Sequence, residues 1–107
     1  MIREHSSAET SLNALFEIFA NQHRRYTLHH LSNMDGVTAT VSALIETLAQ
    51  FSTTSCKRLR IQLHHCHLPK MAAYNLIEYD SRSQTIRYHG DNRVETLLAV
   101  SRTHEIE

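Results

Sequence analysis

The sequence predicts a mainly α-helical fold carrying one small β-hairpin. Three observations lead there. Glycine occurs twice and proline once in 107 residues, so few positions break a helix. Apolar residues recur at i, i+3, i+4, i+7 in two separate segments, the period of a helix buried on one side. Towards the C-terminus, two short stretches alternate apolar and polar residues around a turn-rich connection, the pattern of a hairpin.

The elements follow in order. Residues 1–10 are polar and form a flexible N-terminal tail. Ser11 can cap a first helix through SLNALFEIFA, whose stripe is Leu12, Leu15, Phe16 and Phe19. Asn21 stops it or caps the next, QHRRYTLHHLSN over 22–33, with Tyr26, Leu28 and Leu31 inward. MDG at 34–36 is a turn, for which Gly36 supplies the backbone freedom. Thr38 or Thr40 caps a third helix with Val41, Leu44, Ile45 and Leu48 on its apolar face. STTS at 52–55 is a second capping cluster, and a fourth helix starts near Cys56. The strands are LIEY (76–79) and TIRY (85–88), joined by DSRSQ. Asp91 or Asn92 caps a last helix over roughly 92–103, with Val94, Leu97 and Leu98 on one face.

This order, α-α-α-α-β-β-α, is that of a winged helix-turn-helix. The third helix, its connection and the fourth helix form the helix-turn-helix, and the hairpin is the wing. Residues 11–90 are then the winged helix-turn-helix domain, and 91–107 a C-terminal helix serving dimerisation. No apolar run approaches the roughly 18 residues of a membrane span, and MIREHSSAETS has no apolar signal core. A cytoplasmic protein with reduced Cys56 and Cys66 is expected.

The chain has zero net charge, unevenly spread. Residues 1–46 carry −2, residues 47–77 carry +4 with no acid, and residues 78–107 carry −2. The acid-free block holds Lys57, Arg58, Arg60 and Lys70 and encloses LHHCHLPK (63–70). Such a block attracts a polyanion even in a neutral chain, although an ordinary solvated helix face has the same composition. With about 100° of rotation per residue from Lys57, Leu59, Leu63 and Cys66 fall near 200°, 240° and 180°, a core-facing stripe. Lys57, Arg60 and His64 fall near 0°, 300° and 340°, flanked by Arg58 and His65, on the opposite side. In the same phase Leu68 points outward at about 20°, so the helix is expected to kink or restart at Pro69.

The histidines and cysteines invite a zinc or nucleophile reading. Zinc needs three or four ligands converging on one point, whereas His64 lies about 160° around the helix from Cys66. Cys66 is expected to be a small buried residue and His67 a packing or hydrogen-bonding residue. No paired carboxylates stand in the basic block, and adjacent helical residues do not face each other. The expectation is no metal site, no catalytic residues, no cofactor and no enzyme.

Three segments, LFEIFANQHRRYTLHHL (15–31), RLRIQLHHCHLPKMAAYNLIEYD (58–80) and TIRY (85–88), resemble a haloarchaeal winged-helix domain family of unknown function. Its members look like LF…L.N.RRR..L..L followed by R….L.H.HLPKL…G.V.YD, and the likeness spans about residues 12–90. The family is read as DNA-binding regulators in the style of ArsR-like winged helices, which implies that residues 57–75 are the DNA-reading element. The chain departs from that pattern twice. Asn75 replaces the glycine before the wing strand, and Asn tolerates the left-handed conformation. The chain is also neutral, where haloarchaeal proteins are typically acidic.

The functional expectation is a homodimeric, sequence-specific regulator of double-stranded DNA. Lys57, Arg58 and Arg60 would meet phosphates or guanine edges, His64, His65 and Lys70 would extend that surface, and Arg82 and Arg87 of the wing would touch the neighbouring backbone. Arg24 and Arg25 would contact phosphate or make internal salt bridges. Leu12, Leu15, Phe16, Val94, Leu97 and Leu98 are assigned to dimerisation. Two alternatives stay open: a protein-interaction module without DNA binding, and a regulator in which Cys56, Cys66 and the histidines sense metal or redox state.

Overall fold

The computed structural model describes residues 10–34 and 38–106; the tail over 1–9 and Gly36 lie outside that range. Helices α1 (Leu12–Phe19) and α2 (Gln22–Ser32) lead into a short strand β1 (Thr38–Thr40) and helix α3 (Val41–Ala49). Helix α4 (Cys56–Gln62) continues through a π-helical turn, Leu63–His67, into α5 (Leu68–Ala73). Strands β2 (Ile77–Asp80) and β3 (Thr85–Tyr88) form the hairpin, and α6 (Asn92–Ser101) ends in a second π-helical stretch, Arg102–Ile106. The fold is mainly helical with a helix-turn-helix of α3 and α4 and a β-hairpin wing.

The local stops and starts obey capping chemistry. Ser11, Asn21, Thr40, Ser55 and Asp91 all have extended backbones, and each side chain accepts from an amide in the first turn that follows. Helix α5 ends in a Schellman motif: Asn75 N–H donates to the Ala72 carbonyl and Leu76 N–H to that of Met71. Asn75 takes the required left-handed conformation, φ 68°.

Two features differ from the sequence expectation. The first is β1. It makes the sheet three-stranded in the order β1-β3-β2, with Thr38, Ala39 and Thr40 opposite Arg87, Ile86 and Thr85. The second is the π turn. Leu68 N–H donates to the Leu63 carbonyl, five residues back. One extra residue in the turn delays the helix by about 100°, moving Leu68 from about 20° to about 280° and Met71 to about 220°. Both are fully buried. The same delay swings Cys66 off the core stripe, so the expected buried cysteine is exposed. The helix neither stops nor restarts at Pro69, because the wide turn before it absorbs the missing donor.

The core gathers buried side chains from every helix and strand. Leu15 and Ile18 of α1, Leu28 of α2, Leu44 and Leu48 of α3, Leu59 of α4 and Ile86 of β3 are all sealed from solvent. Helix α2 lies in the middle and buries Arg24, Thr27 and His29 along with Tyr26, Leu28 and Leu31. Val94 and Leu98 of α6 close one side.

Candidate nucleic-acid interface

Helix α4 starts where Ser55 Oγ accepts from the Arg58 amide at 3.2 Å. That cap fixes the rotation of the helix: Leu59 goes inward, and Lys57, Arg58 and Arg60 stand exposed. Arg60 Nη1 donates to Gln84 Oε1 at 3.3 Å, so the helix reaches the wing turn directly. Gln84 holds a left-handed backbone, φ 58°, at the end of that turn. Arg82 is exposed on the same turn, its amide donating to Asp80 Oδ1 at 3.0 Å. Arg87 is exposed on the sheet face turned from the core, in register with Thr38 and Glu78.

The remaining basic side chains are engaged elsewhere. Lys70 Nζ lies 2.7 Å from Glu17 Oε2 and 5.2 Å from the centroid of the Tyr74 ring, tying α5 to α1. Glu17 holds its ammonium pKa above the ordinary value, and Lys70 and Tyr74 hold the Glu17 carboxyl below its own. Arg25 pairs with Glu105 at 2.7 Å and donates to the Phe19 carbonyl. Arg24 is buried, donating to the Ile18 and Glu17 carbonyls at 2.9 Å each. It thus caps the end of α1 from inside the fold. Among the described residues, Lys57, Arg58, Arg60, Arg82 and Arg87 take part in no ion pair.

The histidines divide three ways. His65 is exposed. His64 is half-buried, its Nδ1 hydrogen-bonded to the Tyr79 hydroxyl of β2. Burial, then Arg60 and His65, push its pKa down, so it is a neutral brace between helix and wing. His67 is buried, with Nδ1 3.3 Å from Arg24 Nη1 and its ring edge-on to His23. Arginine can only donate, so Nδ1 accepts. Burial, Arg24 and His23 push the His67 pKa down to about 4. Among the described residues no group of three or more His, Cys, Asp or Glu could hold a metal ion.

Sequence reasoning passed over Ile61, which is exposed on the cationic face and shares a shallow groove with Lys57, Arg58 and Gln62. Its helical angle of about 40° placed it there already, but attention to charge alone left it out. An apolar side chain at such a place suits contact with a thymine methyl.

The residues assigned to dimerisation separate. Leu15, Val94 and Leu98 are in the core and offer no surface. Leu12 is 52% and Phe16 54% exposed, and Leu97 is half-buried against the core. Leu12 and Leu97 share a shallow groove between α1 and α6, and Val100 adds a further exposed apolar side chain to α6. No helix is long and apolar enough to cross a membrane among the described residues.

The family model described as a domain of unknown function (DUF7344) matches residues 16–87, from within α1 to the last wing strand. No match is found among curated proteins or among solved structures.

Proposed function

The chain belongs to the DUF7344 family, and from the geometry of this member we propose a sequence-specific, double-stranded-DNA-binding regulator that carries no catalytic step. One observation carries the reading: the cations of α4 and of the wing turn, outside any ion pair among the described residues, are joined into one surface by the Arg60–Gln84 hydrogen bond. Helix α4 enters a major groove, its capped N-terminus and Lys57, Arg58 and Arg60 meeting phosphates and guanine edges. His65 and Ile61 extend the contact along the groove, and Arg82 reaches the neighbouring backbone. Lys70 and His64 act behind this surface, holding α5 to α1 and the helix to the wing.

The protein works as a cytoplasmic homodimer in this reading. Leu12 and Phe16 of α1, with Leu97 and Val100 of α6, supply the apolar side chains for pairing, and two-fold pairing makes a palindromic site the natural target. LHHCHLPK followed by NLIEYD supports kinship with haloarchaeal winged-helix regulators of ArsR style.

Selection of tight binders from a pool of random duplexes tests the proposal, followed by fluorescence anisotropy of the selected duplex against a scrambled one. A specific site is expected to bind about 1,000-fold or more tightly than the scramble. Equal, salt-insensitive or absent binding overturns the reading in favour of a protein-interaction module.

A further inference from the structure

Away from the cationic face of α4, a cavity of about 370 Å³ opens between α2, α3 and the end of α6. That is the size of a small-molecule site. Tyr26, Met34 and Phe51 form its apolar wall. Tyr26 and Phe51 meet edge-on with ring centroids 5.2 Å apart, and Phe51 is 51% exposed at the mouth. A large aromatic side chain left half in water gains burial if something fills the space beside it.

The polar wall is less usual. His29 is 5% exposed, yet its Nε2 has no hydrogen-bond partner among the described residues, and neither has the buried Nε2 of His30. Arg102 Nη2 lies 3.5 Å from His29 Nδ1. An arginine only donates, so Nδ1 accepts and the proton of the neutral ring sits on Nε2. The result is a buried N–H donor with no acceptor among the described residues, an arrangement that folded proteins rarely leave unmet. Burial pushes both imidazoles below their ordinary pKa, so neither supplies a fixed charge. Charge comes from Arg102, which is exposed at the cavity and has no carboxylate partner among the described residues. A guanidinium offers a planar fork that matches a carboxylate.

We infer that this cavity binds a small, largely apolar carboxylic acid that carries a second oxygen acceptor. The carboxylate takes Arg102 at the mouth. The apolar body lies against Tyr26, Met34 and Phe51. The second oxygen goes deeper and accepts from the unpartnered imidazole N–H. The assignment stands whether or not the chain binds DNA.

The test uses the full chain with 4-hydroxybenzoate and phenylpyruvate as probes, each beside its carboxamide, read by isothermal titration and by imidazole 15N chemical shifts. At least one acid is expected to bind saturably and about tenfold or more tightly than its amide. Its binding should move the His29 Nε2 resonance. Arg102→Gln, an exposed position where folding is not at stake, should weaken the acid about tenfold and leave the amide unchanged. Phe51→Ala should weaken both. No saturable binding of either acid at millimolar concentration overturns the inference. So does binding that ignores Arg102→Gln or leaves the His29 resonance in place.

Discussion

Consider the replacement of Lys57, Arg58 and Arg60 together by alanine. All three are exposed on α4 and outside any ion pair among the described residues. Alanine suits a helix at least as well, and the replacement breaks the hydrogen bond from Arg60 to Gln84, which is itself exposed. The variant should therefore fold. If Lys57, Arg58, Arg60, Arg82 and Arg87 each neutralise one phosphate, the affinity of one protomer falls with log salt at a slope of about −4.5, and the variant retains about −1.8. Between 50 and 200 mM salt the native protomer loses roughly 500-fold in affinity and the variant roughly 12-fold. A dimer doubles both slopes and leaves their ratio. The assay is fluorescence anisotropy on one duplex at several salt concentrations, with far-ultraviolet circular dichroism to confirm the fold. Lys70→Ala is the control: its charge is already paired with Glu17, so its slope should stay native. A triple variant with the native slope, or a Lys70 variant that loses as much, refutes the assignment of α4 to phosphate.

Three other outcomes follow from the same structure. Arg24→Met strands the Ile18 carbonyl and the His67 acceptor and leaves the Glu17 carbonyl only the Ala20 amide as donor; it should cost about 2–4 kcal/mol by urea unfolding, and a change within experimental error would show that these bonds are idle. The folded pKa of His67 is about 4 against an ordinary 6.5, so the unfolded chain takes up the proton first; stability is complete above pH 6.5 and falls towards pH 4, by up to about 3 kcal/mol from this group. His67→Gln should flatten that fall in part, since His29 and His30 are shifted in the same direction, and an unchanged pH profile would count against it. The native chain should sediment as a dimer and Leu12→Asp with Phe16→Asp as a folded monomer, while Leu15→Ala, sealed in the core, should lose about 3 kcal/mol; a native monomer removes the dimer proposal.

Local chemistry was readable in the sequence wherever one short segment decides the outcome. Ser11, Asn21 and Asp91 announce their helices because a cap needs only its own first turn. The alternation in LIEY and TIRY settles the hairpin, its first strand displaced by one residue to Ile77–Asp80, and Asn75 takes its left-handed turn. Strand β1 was not readable. Three residues, TAT, have no pattern of their own and become a strand only through Ile86 and its neighbours, far along the chain. The phase slip at Leu68 was visible, but the proline beside it drew the explanation, and a π turn has no sequence signature comparable to a proline. Leu15, Val94 and Leu98 were misplaced for a different reason. A stripe marks which residues avoid water, and it does not say whether the same chain or a second copy covers them. The hydrophilic α2 shows the reverse, since Arg24, Thr27 and His29 are buried, and Arg24 and Thr27 have their polar atoms met by backbone carbonyls and the His67 ring.

The short strand β1 also decides how the wing behaves over time. Its ladder to β3 is extended by one more bond, from the Val41 amide to the Gln84 carbonyl at 3.0 Å, so the first residue of α3 is fastened to the wing at the end of its turn. Fluctuations that free the wing therefore have to break the start of the helix-turn-helix as well. The two belong to one cooperative opening unit, and their amides at 38–41 and 85–88 should exchange with deuterium at a common rate, slower than those of the turn at 81–83. A hairpin that reads at first as an appendage is, in these terms, a strut whose stiffness is borrowed from the helices it leans on.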